Sequence, residues 1–148
     1  NMKITELVKL TNKYLAGEQL VYTRLQPFFD QVIDDINTNL NATYPSFSSL
    51  EYDVFYPDTA VYDYFPDAYV RSVVALGAAY YFYVMDEEGI ETATKYEQMY
   101  RQNLFYMIRD YIDHVPEFYQ SDSNGSVPIG DDYFYNEVIP VHYLRGLF

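Results

Sequence analysis

Residues 66–116 read PDAYVRSVVALGAAYYFYVMDEEGIETATKYEQMYRQNLFYMIRDYIDHVP, and this stretch decides the fold. Pro66 has the fixed φ that suits a helix start, Asp63 is its candidate cap, and Asp67 stands in the first turn, where a carboxylate meets the positive end of the dipole. The helix is expected to run to about Glu88, with Gly89 as its C-terminal stop. From Glu91 to about Val115 a second helix is expected. Ala93, Tyr96, Tyr100, Leu104, Met107, Ile108, Tyr111 and Val115 form one stripe, Lys95, Glu97, Gln98, Arg101, Gln102 and Arg109 lie off it, and Pro116 ends it. The connection is so short that the two helices must be antiparallel neighbours. Each would be ~30 Å long at 1.5 Å per residue.

Within the first of these helices, Val73 to Met85 carries no charge, and Asp86, Glu87 and Glu88 close the run abruptly. Thirteen residues are too few for a membrane span. A helix that is apolar all round must be covered all round. Either the rest of the chain wraps it, or one face packs inside the subunit and the other on a neighbouring copy. The second alternative makes Val73, Val74, Leu76, Gly77, Tyr80, Tyr81, Tyr83 and Val84 the expected subunit interface.

Upstream, Ile4 to Leu15 reads as a short amphipathic helix with Thr5 as cap and Gly17 as stop. Leu20 to Leu40 is the next helical stretch, with Leu25, Phe28, Phe29, Val32, Ile33, Ile36 and Leu40 on its apolar face and Asp30, Asp34 and Asp35 on its wet face. Pro27 is best placed in a first turn capped by Thr23; otherwise it kinks a longer helix. Asn41 to Tyr64 breaks the helical pattern with Pro45, Pro57 and a serine cluster. There Tyr52, Val54 and Tyr56 alternate with Asp53 and Phe55, which allows a short strand or an extended arm. A connection this long in a small domain is usually functional. The frame is expected to begin at Met2-Lys3-Ile4, after Asn1, and without a signal peptide, because no continuous apolar segment follows.

Downstream, residues 119–148 sustain no helical period. The segment is polar at Gln120 to Ser126 and then aromatic and aliphatic: Tyr133, Phe134, Tyr135, Val138, Ile139, Val141, Tyr143, Leu144, Leu147 and Phe148. The expected division is a helical domain over 1–118 and an extended arm over 119–148, which either orders on a partner or folds back over its own helices. The fold class is therefore mainly α: a small helical bundle built on a long antiparallel hairpin, with an irregular or β-hairpin loop between helices and an extended C-terminal arm.

The chain has 148 residues, no cysteine and no tryptophan, and 22 acidic against 9 basic side chains, a formal net charge of -13. Without cysteine, disulfide scaffolds, thiolate zinc sites and thiol nucleophiles are excluded. The charge argues against wrapping nucleic acid, where cations supply the affinity. No Lys or Arg occurs between Leu25 and Val70 or between Asp110 and Leu144. The aromatic share is 20%, with 19 Tyr and 10 Phe, and tyrosine suits surfaces that are wet in one state and buried in another. A catalytic constellation is missing. His114 and His142 stand apart, and no His-Glu-x-x-His, phosphate loop or nucleophile elbow is present. Asp86-Glu87-Glu88 reads as a helix-terminal charge cluster, and Asp122-Ser-Asn124-Gly125 lacks the spacing and closing Glu of a calcium loop. No catalytic residue, metal ligand or cofactor is assigned.

The order of elements resembles a known group. A helix ends in Asn37-Thr-Asn-Leu40, followed by Tyr44-Pro45 and an irregular stretch. Phe65-Pro-Asp-Ala-Tyr69 then opens a helix containing Gly77-Ala-Ala-Tyr-Tyr81, and Asp86-Glu-Glu88 leads into a second long helix. Over roughly Leu20 to Val115 this resembles the head-to-tail adaptor (head completion, connector) proteins of tailed bacteriophages. The resemblance implies a non-enzymatic homo-oligomeric ring, typically of about twelve subunits, beneath the portal at the head–tail junction of a virion assembled in the bacterial cytoplasm. The ring extends a channel through which DNA passes without specific binding. The arm residues 133–148 would meet the portal protein, Tyr52, Val54, Phe55 and Tyr56 would face the channel or a distal neck or tail completion protein, and no membrane is involved. Another neck or tail subunit, or a host helical interaction domain, are the alternatives.

Overall fold

A computed structural model describes residues 2–86 and 89–121. The chain is mainly helical, a small bundle with one minimal sheet. In order, the elements are β1 (Met2–Lys3), α1 (Ile4–Tyr14), α2 (Tyr22–Leu40), 3-10 turns at Phe47–Ser49 and Pro57–Thr59, and β2 (Val61–Tyr62). A continuous helical stretch follows in three pieces: α3 (Asp67–Tyr69), a π segment (Val70–Ala75) and α4 (Leu76–Val84). Then come α5 (Ile90–Tyr111) and a 3-10 turn at Glu117–Tyr119. β1 and β2 pair antiparallel, Met2 opposite Tyr62 and Lys3 opposite Val61, so the long loop is stapled to the start of the chain. Tyr52 to Tyr56, expected as a short strand or an extended arm, bend into a turn at Val54 to Tyr56, and the short strand lies further on.

The expected helical hairpin is present: α4 packs most extensively on α5, then on α2. Its covering differs from the interface expected above. Val73, Val74, Leu76, Gly77 and Tyr83 are buried within the chain, and Tyr80 and Tyr81 are half-buried. Of the eight residues only Val84 is largely open, at 52% exposure. α1, α2 and α5 together surround the run, because α1 returns to its far side: the Tyr83 hydroxyl donates to the Tyr14 carbonyl at 2.8 Å, and the Tyr83 ring stacks on Tyr96 at 5.5 Å. Val73, Val74, Leu76, Gly77 and Tyr83 are therefore covered by their own chain, while Tyr80, Tyr81 and Val84 keep exposed surface. Gly77 explains the tightness. A Cβ built there would lie 2.5 Å from Val32 Cγ2 and 2.6 Å from Tyr100 Cε1, so α4 meets α2 and α5 at a point where no side chain fits.

Several helix ends also fall differently. Lys3 and not Thr5 precedes α1, and the Thr5 hydroxyl instead donates to Asp58 in the long loop at 2.9 Å. α2 begins at Tyr22, so Thr23 is inside it and Pro27 is its sixth residue. Pro66 and not Asp63 precedes α3. The first hairpin helix ends at Val84, and Gly89 begins the next helix rather than stopping the last. The body also extends past residue 118. Thr43 N donates to the Tyr119 carbonyl at 2.7 Å, Ser121 N to the Asn41 carbonyl at 3.1 Å, and Tyr119 stacks on Tyr44 at 4.6 Å. Residues 119–121 thus belong to the domain and not to an arm.

The aromatic content has a structural use. Rings run in sequence from Tyr22 to Phe29, Phe47, Tyr62, Phe65, Tyr44 and Tyr119, with neighbouring centroids 4.3 to 6.3 Å apart. This ladder fills the space between α2 and the loop, where short segments offer little aliphatic surface. Each such pair adds about 0.5–1.5 kcal/mol beyond area burial. The buried hydroxyls find acceptors, Tyr22 at the Phe47 carbonyl (3.1 Å) and Tyr62 at the Pro45 carbonyl (2.8 Å).

Candidate interaction surface

The candidate loop residues stand out from the body. Val54 is 66% exposed, Phe55 84% and Tyr56 68%, with Tyr52 half-buried at their base. Three consecutive large apolar residues in water cost free energy unless something covers them. The turn that presents them is built by Asp53: its carboxylate accepts from Phe55 N at 2.8 Å and its carbonyl from Tyr56 N at 3.1 Å. Thr59 closes the far side by donating its hydroxyl to the Tyr56 carbonyl at 2.8 Å. The Asp58–Thr5 hydrogen bond ties this turn to α1.

Beside it lies a groove of about 350 Å³ between α1 and the start of α2, with walls of Val8, Leu20, Val21, Tyr22 and Tyr52. Lys9 is the one charged residue lining it. Asn12 braces the groove: its amide donates to the Leu20 carbonyl at 2.8 Å and accepts from Leu20 N at 3.0 Å. Sequence reasoning missed the groove. The eight-residue bracket from Asn12 that brings Val8 and Leu20 together leaves no pattern in the sequence. Tyr22 has its hydroxyl pushed up to about 12, first by burial, then by the Asp30 carboxylate and Tyr52.

The carboxylates of α2 are not all on a wet face. Asp35 is half-buried where α2, α4 and α5 meet; one of its oxygens accepts from Tyr81 and also from Tyr100, the latter at 2.6 Å. Burial, and then the bond to Asp35, raises the Tyr81 pKa. Asp30 accepts from Phe47 N at 2.5 Å and Ser48 N at 3.2 Å, anchoring the first 3-10 turn. Only Asp34 of the three is exposed. A single carboxylate holding two phenols ties α2 to α4 and α5.

Among the described residues, no three His, Asp or Glu side chains converge to hold a metal ion, and no helix is long and apolar enough to cross a membrane. His114 is exposed beyond the end of α5. The arm residues Tyr133, Phe134, Tyr135, Val138, Ile139, Val141, Tyr143, Leu144, Leu147 and Phe148, together with His142 and the segment Asp122 to Gly125, lie outside the described residues, as do Glu87 and Glu88. No protein-family model, curated protein or solved structure matches the chain.

Proposed function

We propose that the protein is a structural subunit of the head-to-tail junction of a tailed bacteriophage. It would form a ring beneath the portal, continue the DNA channel and offer a platform to neck or tail completion proteins. The observation that carries this reading is the exposed aromatic turn Val54–Phe55–Tyr56, held in shape on a helical body by the Asp53 carboxylate and the Thr59 hydroxyl. Exposed apolar patches of this kind mark interaction sites. The element order Asn37 to Tyr44, Phe65 to Tyr81 and the hairpin beyond it supports the same reading. So does the charge of -13, since a polyanion passes an acidic wall without finding cations to neutralise its phosphates. The arm over 133–148 would engage the portal.

Native mass against protein concentration, with electron micrographs of the same samples, tests this. Closed rings of many copies with a central channel are expected. A dimer as the largest species at every concentration would overturn the ring.

A further inference from the structure

The charges of the chain are distributed unevenly around the groove and the turn. α1 and the residue before it carry Lys3, Lys9 and Lys13, all exposed, against Glu6. Residues 25–69 carry no cation at all, and the turn is framed by Glu51, Asp53 and Asp58. The chain thus offers an apolar groove whose one charge is positive, and an apolar turn whose flanking charges are negative. Each half is already shaped, the groove by Asn12 and the turn by Asp53, so little ordering cost remains for their union. The two cannot be satisfied within one molecule as folded: Tyr52 of the same loop already lines the groove, while Phe55 stands outside it at 84% exposure.

We propose that the turn 53–56 of one copy seats in the α1–α2 groove of a second copy, with Phe55 filling the groove and Asp53 facing Lys9. A surface patch on one chain that complements a different patch on the same chain propagates contacts from copy to copy, and closes into a ring when the rotation allows. This contact does not use Val73, Val74, Leu76, Gly77 and Tyr83 of the interface expected above, which the fold buries. It predicts self-association wherever the protein works and does not depend on the virion reading. Aromatic anchors carry most of an interface's energy, and the rim charges set its salt dependence.

The test is sedimentation of the full chain and of Phe55→Ser, Lys9→Glu, Asp53→Lys and the double variant Lys9→Glu/Asp53→Lys, with circular dichroism as the check of folding. The Phe55, Lys9 and Asp53 side chains are exposed, so their exchange leaves the helical signal unchanged. The parent chain associates, and more weakly as salt rises. Phe55→Ser weakens association about thirtyfold or more. Each charge reversal weakens it, and the double variant binds more tightly than Asp53→Lys alone but less tightly than the parent, because the charge pairing is restored and the turn-shaping carboxylate of Asp53 is not. A parent chain that stays monomeric at all concentrations overturns the contact, and leaves the turn for a different protein. Rings that persist in Phe55→Ser and Lys9→Glu overturn it while leaving the virion reading intact. A dimer that these variants dissociate supports the contact and removes the ring.

Discussion

Gly77 is where a single residue is most constrained. Alanine is the better helix former by about 1 kcal/mol, so propensity alone predicts that Gly77→Ala stabilises. The structure predicts the reverse, because the new Cβ would press on Val32 and Tyr100, and overpacking of this kind costs about 1–3 kcal/mol. Urea unfolding should show a net loss, partly relieved by Val32→Ala in the same chain. Asp35 is the second such residue. Replacing it by Ala removes the acceptor of the Tyr81 and Tyr100 hydroxyls in the half-buried junction, and should lower the unfolding free energy by about 1–3 kcal/mol. Asn, which keeps an acceptor oxygen, should lose less. Neither role was legible in the sequence. Gly77 read only as one residue of an apolar run that either the chain itself or a second subunit would cover, and Asp35 read as a solvated charge because period alone sees one helix at a time.

At the scale of elements, α2 shows how tertiary burial overrides a local signal. Pro27 should open a helix, and a cap at Thr23 would have started one there. Instead the turn before it is retained, since Tyr22 and Leu25 bury their side chains in the core, at 4% and 0% exposure. The cost is the missing amide hydrogen at residue 27, which leaves the Thr23 carbonyl without its intrahelical donor. Pro27→Ala, at an exposed position, should therefore raise the unfolding midpoint in urea. The last described turn is similarly bound by packing: Tyr119 stacks on Tyr44 and meets Tyr64 edge-on at 5.9 Å. Tyr119→Ala should cost about 1–3 kcal/mol by loss of that apolar area and the ring pairs. A segment that merely extended from the body would show no change.

For the whole molecule, the tyrosine-rich core sets the response to pH. Tyr22 and Tyr44 are pushed up to about 12 mainly by burial, and Tyr69 to about 12 mainly by its hydrogen bond to Asp110, against an ordinary 10.0. Burial raises Tyr62 and Tyr81 further. A phenol that is harder to ionise when folded stabilises the fold fully below pH 10.0 and loses that contribution as pH rises through about 12. Stability should be flat on the acid side of this window with respect to these groups and fall steeply within it. The last part of the rise in tyrosinate absorbance, which belongs to the buried rings, should coincide with the loss of helical circular dichroism, after exposed rings such as Tyr56 have ionised. Ionisation of the buried rings without loss of helix would contradict their placement in the core.

The helical hairpin, the bundle class and the irregular connection between α2 and α3 followed from the sequence by itself, because periodicity, proline and glycine act over a few residues and need no partner. The stretch Tyr52 to Tyr56 was legible as part of an irregular connection, but as a strand or an extended arm and not as the turn it forms, because the Asp53 and Thr59 hydrogen bonds that bend it leave no periodic pattern. Tertiary structure decided what covers what. Whether the apolar run from Val73 onward meets a neighbour or its own chain depends on where α1 returns, and that return is made by contacts such as Tyr83 to Tyr14, 69 residues apart. The groove beside the turn, the pairing of Met2–Lys3 with Val61–Tyr62 and the two phenols on Asp35 have the same origin. Each joins groups distant in sequence, where no local propensity acts and only packing brings them within reach.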